Sequence, residues 1–199
     1  MQQLELLIPY VVAALTMWGT PGPNNMMLAY SGARFGLRPT LPHIAGVVVG
    51  NTILNVVGIL GLKPIVERWP ETLFVLQIAG SIWLCWVGFK MARSAGSARP
   101  GETEDPMSFS AAILFQFSNP KAIAAASTLA SLVFVATKNN AWLWLPALFL
   151  IPPLGLIANG PWALAGMSVR GFLATPLRWR VFAITTGTLT AGCAIFLWT

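Results

Sequence analysis

Long stretches without a charged side chain are the feature that most constrains how this chain folds. Uncharged runs occupy the positions 6–33, 39–62, 72–89, 106–120, 122–137, 139–169 and 181–199. Only Lys121 separates the fourth run from the fifth, and each alone is short for a bilayer-spanning helix of about 20 residues. Joined across that lysine they form one segment, 106–137, and the chain then has six candidate membrane spans.

The composition excludes a soluble globular enzyme. Only 9% of the 199 residues are charged, against roughly a quarter in soluble domains, and 56% are hydrophobic. Because backbone groups must be paired inside lipid, and because these segments are too long for barrel strands, each span is predicted to be helical. The predicted fold class is therefore all-α: a polytopic membrane protein with six transmembrane helices. We expect no metal and no cofactor, since His43 is the single histidine.

The distribution of lysine and arginine predicts the orientation. Connections after the first, third and fifth spans hold eight basic residues: Arg34, Arg38, Lys90, Arg93, Arg99, Arg170, Arg178 and Arg180. The opposite side holds three: Lys63, Arg68 and Lys138. Since cytoplasmic loops are enriched in basic residues, both termini are predicted to lie outside, on the face of the membrane away from the cytoplasm. The basic residues are dispersed, which disfavours a nucleic-acid partner and leaves lipid as the surrounding medium.

A polar, small-residue segment at 92–107 divides the chain into halves of three spans, 1–91 and 108–199. The first span of each half contains a proline motif: Thr20-Pro21-Gly22-Pro23-Asn24-Asn25 in one and Gln116-Phe117-Ser118-Asn119-Pro120-Lys121 in the other. Proline removes a helix donor and clashes with the preceding turn, so both helices should break. Paired interruptions predict a binding site at the interface of two repeats, and three spans per half make the repeats inverted.

The breaks predict a substrate site because freed backbone groups at membrane depth need water or a ligand. The helices that restart after the prolines also present positive N-terminal ends, which suit a carboxylate. The predicted substrate-binding residues are Pro21, Gly22, Pro23, Asn24, Asn25, Asn51, Asn55, Ser118, Asn119, Pro120, Lys121 and Asn159. For Asn51, Asn55 or Asn159 taken alone, a hydrogen bond to a neighbouring helix is the better account.

Lys121 is the most informative single residue. A lysine at bilayer depth costs roughly 2.5 kcal/mol or more and usually faces a cavity. The alternative is that its long stem carries the ammonium to the headgroups. We predict that Lys121 binds the substrate carboxylate, with Asn24 and Asn25 accepting hydrogen bonds from the substrate ammonium. A proton-coupled carrier needs an ionisable group in its pathway, and no acidic residue lies in a span core, so Lys121, His43 and the substrate itself would be the candidates for that role.

The Thr20-Pro21-Gly22-Pro23 element, the glycines at 32, 36, 46, 50, 80 and 88, and the Asn119-Pro120-Lys121 element together resemble the LysE/RhtB family of amino-acid exporters. The resemblance implies export of amino acids or close derivatives from the bacterial cytoplasm, driven by the proton gradient. In that family an Asp often follows the first element, whereas this chain has Asn24.

Three functions stay open at this point. The leading one is a secondary exporter of a small zwitterionic amino acid that works by alternating access. A membrane-embedded enzyme or lipid-handling protein would need a nucleophile or an acid–base pair, and one buried lysine among asparagines is a poor one. A channel would favour rings of pore-lining residues over two broken helices.

Overall fold

A computed structural model describes residues 2–68, 71–96, 105–137 and 141–198. Over that part of the chain the protein is helical, without a strand. The eight α-helices are α1 (Gln2–Gly19), α2 (Pro23–Phe35), α3 (Leu37–Arg68), α4 (Glu71–Arg93), α5 (Phe109–Gln116), α6 (Pro120–Thr137), α7 (Ala141–Ser168) and α8 (Pro176–Gly192). Short 3-10 turns follow α4, α7 and α8 at Ser94–Gly96, Phe172–Ala174 and Cys193–Leu197. The all-α prediction is confirmed.

Each of the six uncharged segments contains a helix or a helix pair. The first segment holds α1 and α2, the fourth holds α5 and α6, and the others hold α3, α4, α7 and α8. By length and composition alone, two stretches of the described residues are long and apolar enough to cross a membrane, Leu37–Gly58 and Pro146–Ser168. The broken segments contribute shorter apolar helices, Leu7–Gly19 and Pro120–Val133. Residues 97–104, the centre of the linker predicted at 92–107, lie outside the described residues, as does Lys138.

Both proline motifs interrupt a helix, as predicted. One interruption covers residues 20–22 and the other covers residues 117–119, and the next helix begins in each case at a proline, Pro23 or Pro120. Proline suits the first turn of a helix because its missing N–H has no helical partner there. Proline alone does not suffice for a break, since α7 runs continuously through four prolines: Pro146, Pro152, Pro153 and Pro161.

The charged residues are poor markers of where helices end. The α3 helix continues past Lys63 to Arg68, and α8 begins at Pro176, five residues before the uncharged run 181–199. A charged side chain ends an apolar stretch without breaking backbone hydrogen bonds, because lysine and arginine are good helix formers.

The helices pack in pairs whose directions follow from their contacts. The α3 helix runs parallel to α5 and α6, since a Cβ at Gly46 would meet Phe109 and one at Gly58 would meet Ala126. The α4 and α8 helices run antiparallel: Trp179, near the start of α8, donates to the Ser94 carbonyl oxygen just after α4 (3.2 Å), and Trp198, after α8, donates to Ser81 (3.0 Å).

Apolar side chains face outward and polar side chains fill part of the interior. Phe149, Leu177 and Leu114 are 79%, 72% and 69% exposed, whereas Asn25, Asn55 and Gln116 are at most 2% exposed. Water would oppose the first arrangement, and lipid favours it. The buried amides lie where the two broken segments meet, and this is where a functional site is expected.

Candidate functional site

The break between α1 and α2 leaves carbonyl oxygens without helical partners, among them the four of residues 18 to 21. The backbone at Gly22 is fully extended, so α1 cannot continue through it. In a continuous helix the carbonyl oxygens of residues 18 to 21 would accept from the N–H groups of residues 22 to 25, and Pro23 has no N–H to offer. Buried carbonyls need other donors, and unpaired ones are costly in lipid.

Three side chains from three different helices supply those donors. Asn25 of α2 donates to the carbonyl oxygens of Trp18 (2.8 Å) and Thr20 (2.6 Å). The indole of Trp162 in α7 donates to the carbonyl oxygen of residue 19 at 3.0 Å. The Lys121 ammonium of α6 donates to the carbonyl oxygen of Thr20 and to that of residue 21 at 3.2 Å. All four carbonyl oxygens therefore have a side-chain partner.

The two restarted helices differ at their N-termini. At α6 the Asn119 side-chain oxygen accepts from the backbone N–H of Lys121 (3.2 Å). At α2 the preceding residue is Gly22, and no side chain caps the helix. The first-turn N–H groups of α2 therefore keep the partial positive charge that an anion would bind.

Lys121 spans the distance between the two breaks. It is the second residue of α6, and its ammonium donates to the carbonyl end of α1, so its stem passes beside Gly22. A Cβ added at Gly22 would lie 2.7 Å from Cδ of the lysine and 3.1 Å from its Nζ. Glycine is the residue that lets the lysine side chain pass at this distance.

A small cavity, which we call the polar cavity, lies between the breaks and has a volume of about 20 Å³. Seven of the twelve predicted site residues line it: Gly22, Asn24, Asn25, Asn51, Asn119, Lys121 and Asn159. Met17, Trp18 and Ala122 complete the lining. Within the described part of the chain, the side-chain oxygens of Asn25 and Asn51 are buried and have no hydrogen-bond partner, and both residues line the cavity.

The other predicted site residues lie around this cavity. Pro21, Pro23 and Pro120 line an adjoining groove of about 300 Å³, together with Gly22, Lys121, Ala124 and Cys193. Asn55 and Ser118 line neither space. Asn55 donates to the Asn51 carbonyl oxygen (2.8 Å), and Ser118 donates to the Phe115 carbonyl oxygen (3.2 Å).

Two residues were missed as parts of this site. Gln116, which is fully buried, exchanges two hydrogen bonds with Asn24, at 2.6 Å and 3.1 Å, and so joins α5 to α2. The sequence does mark Gln116, because a glutamine inside an uncharged, apolar run is a candidate for a buried hydrogen bond. Trp162 caps the end of α1 from α7, and its sequence neighbourhood contains no signal for that contact.

The chemistry of the polar cavity suits a zwitterion. Its positive features are the Lys121 ammonium and the uncapped N-terminus of α2, and its acceptors are the free oxygens of Asn25 and Asn51. A carboxylate would bind the positive groups, and an ammonium would donate to the free oxygens. Over the described residues, no group of three His, Cys, Asp or Glu side chains is placed to hold a metal ion.

Comparisons with known proteins agree with the resemblance seen in the sequence. The family model described as LysE type translocator matches residues 15–199. A cysteine/O-acetylserine efflux protein of Klebsiella pneumoniae subsp. pneumoniae is 32% identical over 148 residues, which is 74% of each chain. Its namesake in Escherichia coli strain K12 is 31% identical over 150 residues, covering 74% of this chain and 75% of that one.

No solved structure matches this chain. The family match covers nearly the whole length, and it identifies a membrane transporter and not an enzyme. The chain belongs to the LysE type translocator family.

Proposed function

We propose that this protein exports a small zwitterionic amino acid, or a close derivative, across the bacterial inner membrane by alternating access through the polar cavity. The observation that carries the proposal is that a half-buried lysine ammonium and two unpartnered amide oxygens belong to residues that line one cavity. The efflux proteins it resembles are named for cysteine and O-acetylserine, so a small amino acid with an uncharged side chain is the proposed cargo class.

The recognition scheme uses both ends of the cargo. Lys121 has three N–H donors, of which two bond the carbonyl oxygens of the first break, so one remains for the cargo carboxylate beside the α2 N-terminus. The ammonium of the cargo would donate to the free oxygens of Asn25 and Asn51. Asn24, proposed from sequence for this role, already exchanges two hydrogen bonds with Gln116, so we move the role to Asn51.

The size of the polar cavity supports alternating access. At about 20 Å³ it has room for about one water molecule and none for an amino acid. Cargo must therefore enter through a conformation in which the two breaks lie further apart. The hydrogen bonds between Lys121 and the carbonyl end of α1 join the two halves of the chain, and a competing carboxylate would weaken them.

The crossing of α4 and α8 supports an inverted repeat. A Cβ at Gly88 would lie 2.5 Å from the Gly187 carbonyl oxygen, and a Cβ at Gly187 would lie 2.5 Å from the Gly88 carbonyl oxygen. Gly88 also approaches Ala191 while Gly187 approaches Ala92, and both pairs of equivalent residues are 99 positions apart, as are Pro21 and Pro120. Reciprocal contacts between equivalent residues are what a two-fold axis through that crossing would produce.

The proposed topology has six spans with both termini outside. A reporter that is active only in the cytoplasm should be inactive when it is fused after Thr199. The reason is that the connections with eight basic residues are assigned to the cytoplasm, which places the C-terminus on the other side. Strong reporter activity in that fusion would reverse the orientation.

Proton coupling is part of the proposal, with Lys121, His43 and the cargo as candidate carriers. Among the described residues that line the polar cavity there is no Asp or Glu. In inside-out vesicles, uptake driven by an imposed pH gradient should stop when an ionophore collapses that gradient. Uptake that persists at the same rate would exclude proton coupling.

The main test compares labelled amino acids in inside-out vesicles. Wild-type protein should accumulate O-acetyl-L-serine or L-cysteine, whereas Lys121→Met should keep the apolar stem, remain folded and lose most of the transport. Lys121→Arg should be partly active, since a planar fork does not replace a compact ammonium. Lys63→Met, which removes the lysine that follows the uncharged run 39–62, is the matched control. Wild-type transport by Lys121→Met would refute the site assignment.

A further inference from the structure

A second, larger cavity lies beside the polar cavity and shares no lining residue with it. We call it the aromatic cavity; it has a volume of about 200 Å³ and is bounded by α2, α3, α4, α5 and the segment before α5. Its apolar wall includes Met27, Trp83, Trp86 and Met91. At roughly 10–15 Å³ for each water-sized position, this volume accommodates on the order of ten non-hydrogen atoms, which is the size of a small amino acid.

His43 is a buried polar group in this wall. Its side chain is 1% exposed, and neither Nδ1 nor Nε2 has a hydrogen-bond partner among the residues that the structure describes. A neutral imidazole carries one donor and one acceptor, and leaving a buried polar atom unsatisfied costs about 1–3 kcal/mol. An occupant that both donates and accepts hydrogen bonds would remove that cost.

The lining of the same cavity includes one positively charged side chain, Lys90, and one negatively charged side chain, Asp105. The Lys90 ammonium lies 5.0 Å from the centre of the Trp86 ring, and the Asp105 carboxylate belongs to the lining as well. A zwitterion complements such a pair, with its carboxylate toward the lysine and its ammonium toward the aspartate. The aromatic and methionine side chains suit an uncharged side chain on the same molecule.

The two cavities lie in series along α2. Asn24 lines the polar cavity, and Met27 and Ser31, three and seven residues later on the same helix face, line the aromatic cavity. The hydrogen-bonded pair of Asn24 and Gln116 joins α2 to α5 at this point. Cargo that leaves one cavity for the other would pass this amide pair.

We propose that the aromatic cavity is a second cargo site, which binds a zwitterionic amino acid with an uncharged side chain before or after it occupies the polar cavity. His43 hydrogen-bonds the cargo, Lys90 and Asp105 bind its charged ends, and Trp83 and Met91 contact its side chain. The inference rests on the proposed function, because the cargo class is the same.

Methionine methyl groups report on each cavity separately. Met17 lines the polar cavity, whereas Met27, Met91 and Met107 line the aromatic cavity. The full chain would be labelled with ε-¹³C-methionine, reconstituted in lipid nanodiscs and titrated with O-acetyl-L-serine. We expect the methyl resonances of both cavities to shift. In Lys121→Gln the Met17 shift should be lost while those of the aromatic cavity persist, and His43→Leu should show the reverse.

A second variant keeps the test decisive if His43→Leu fails to fold. Lys90→Gln should weaken binding at the aromatic cavity about tenfold, the loss expected for one charge-assisted hydrogen bond, whereas Arg93→Gln, one turn further along α4, should leave it unchanged.

Shifts confined to Met17 would overturn the second site and leave the proposed function standing. The absence of any shift would overturn both. Shifts of Met27 and Met91 that follow only a change of nanodisc lipid would make the cavity a lipid pocket and overturn the inference.

Discussion

The close crossing of α2 and α7 provides a sharp test of the packing. In α7, a Cβ added at Gly166 would lie 1.9 Å from the Ala29 carbonyl oxygen of α2, and a Cβ added at Gly32 would lie 2.0 Å from the Ala163 carbonyl oxygen. Ordinary contact begins at about 3.4 Å, so Gly166→Ala requires the helices to separate by about 1.5 Å. The neighbour is backbone, which cannot rotate away as a side chain could.

The expected change in the stability of Gly166→Ala is the sum of two opposing effects. Overpacking typically costs about 1–3 kcal/mol, and the upper part of that range applies where backbone meets backbone. Replacing a helical glycine by alanine returns about 1 kcal/mol of helix propensity. The net loss should be about 2 kcal/mol, which corresponds to a fall in Tm of about 4–8 °C for a chain of this size.

The assay is the fraction of protein that stays monodisperse in detergent after heating. Gly155→Ala in the same helix is the matched control, because its Cβ would lie 3.5 Å from the nearest atom, a methyl group of Val48. We expect that variant to have an unchanged or slightly higher Tm. Equal Tm values for Gly155→Ala and Gly166→Ala would refute the close crossing of α2 and α7.

Three further predictions concern the polar cavity. Gly22→Ala should displace the Lys121 side chain, whose Cδ would lie 2.7 Å from the new Cβ, so export should fall about tenfold with Tm nearly unchanged; full activity would contradict the contact. Trp162→Phe removes the donor to the end of α1 and should lower stability by about 1–2 kcal/mol, measured as Tm; no change would show that water replaces the indole. Gln116→Leu alone should destabilise the protein by about 2 kcal/mol, and adding Asn24→Leu should recover part of that loss, because the unpaired partner is then removed; additive losses in a double-mutant cycle would contradict the reciprocal pair.

The sequence predicts the helical segments and the two breaks well because both depend on local chemistry. Uncharged runs and proline act over a few residues, and the breaks at 20–22 and 117–119 lie where the motifs indicate. Helix ends are less accurate, as the continuation of α3 to Arg68 shows, because a charge does not interrupt the backbone hydrogen bonds.

The pairing of side chains with particular backbone groups is not predictable in the same way. The sequence marks Asn25, Asn51 and Lys121 as polar residues in apolar surroundings, and all three line one cavity. It contains no indication that Trp162 reaches the carbonyl end of α1, or that Asn24 meets Gln116, because those contacts depend on the relative positions of separate helices. The direction in which Lys121 extends is also a tertiary property.

The crossing of α4 and α8 has a consequence for how the chain can vary. Each of its two glycines accommodates the carbonyl oxygen of the other, so one separation of the helices relieves both contacts at once. The first substitution, at Gly88 or at Gly187, bears the whole cost of moving the helices apart. A second substitution at the partner position then meets a gap that is already open. The two positions are therefore epistatic, and we expect descendants of this chain to keep both glycines or to lose both.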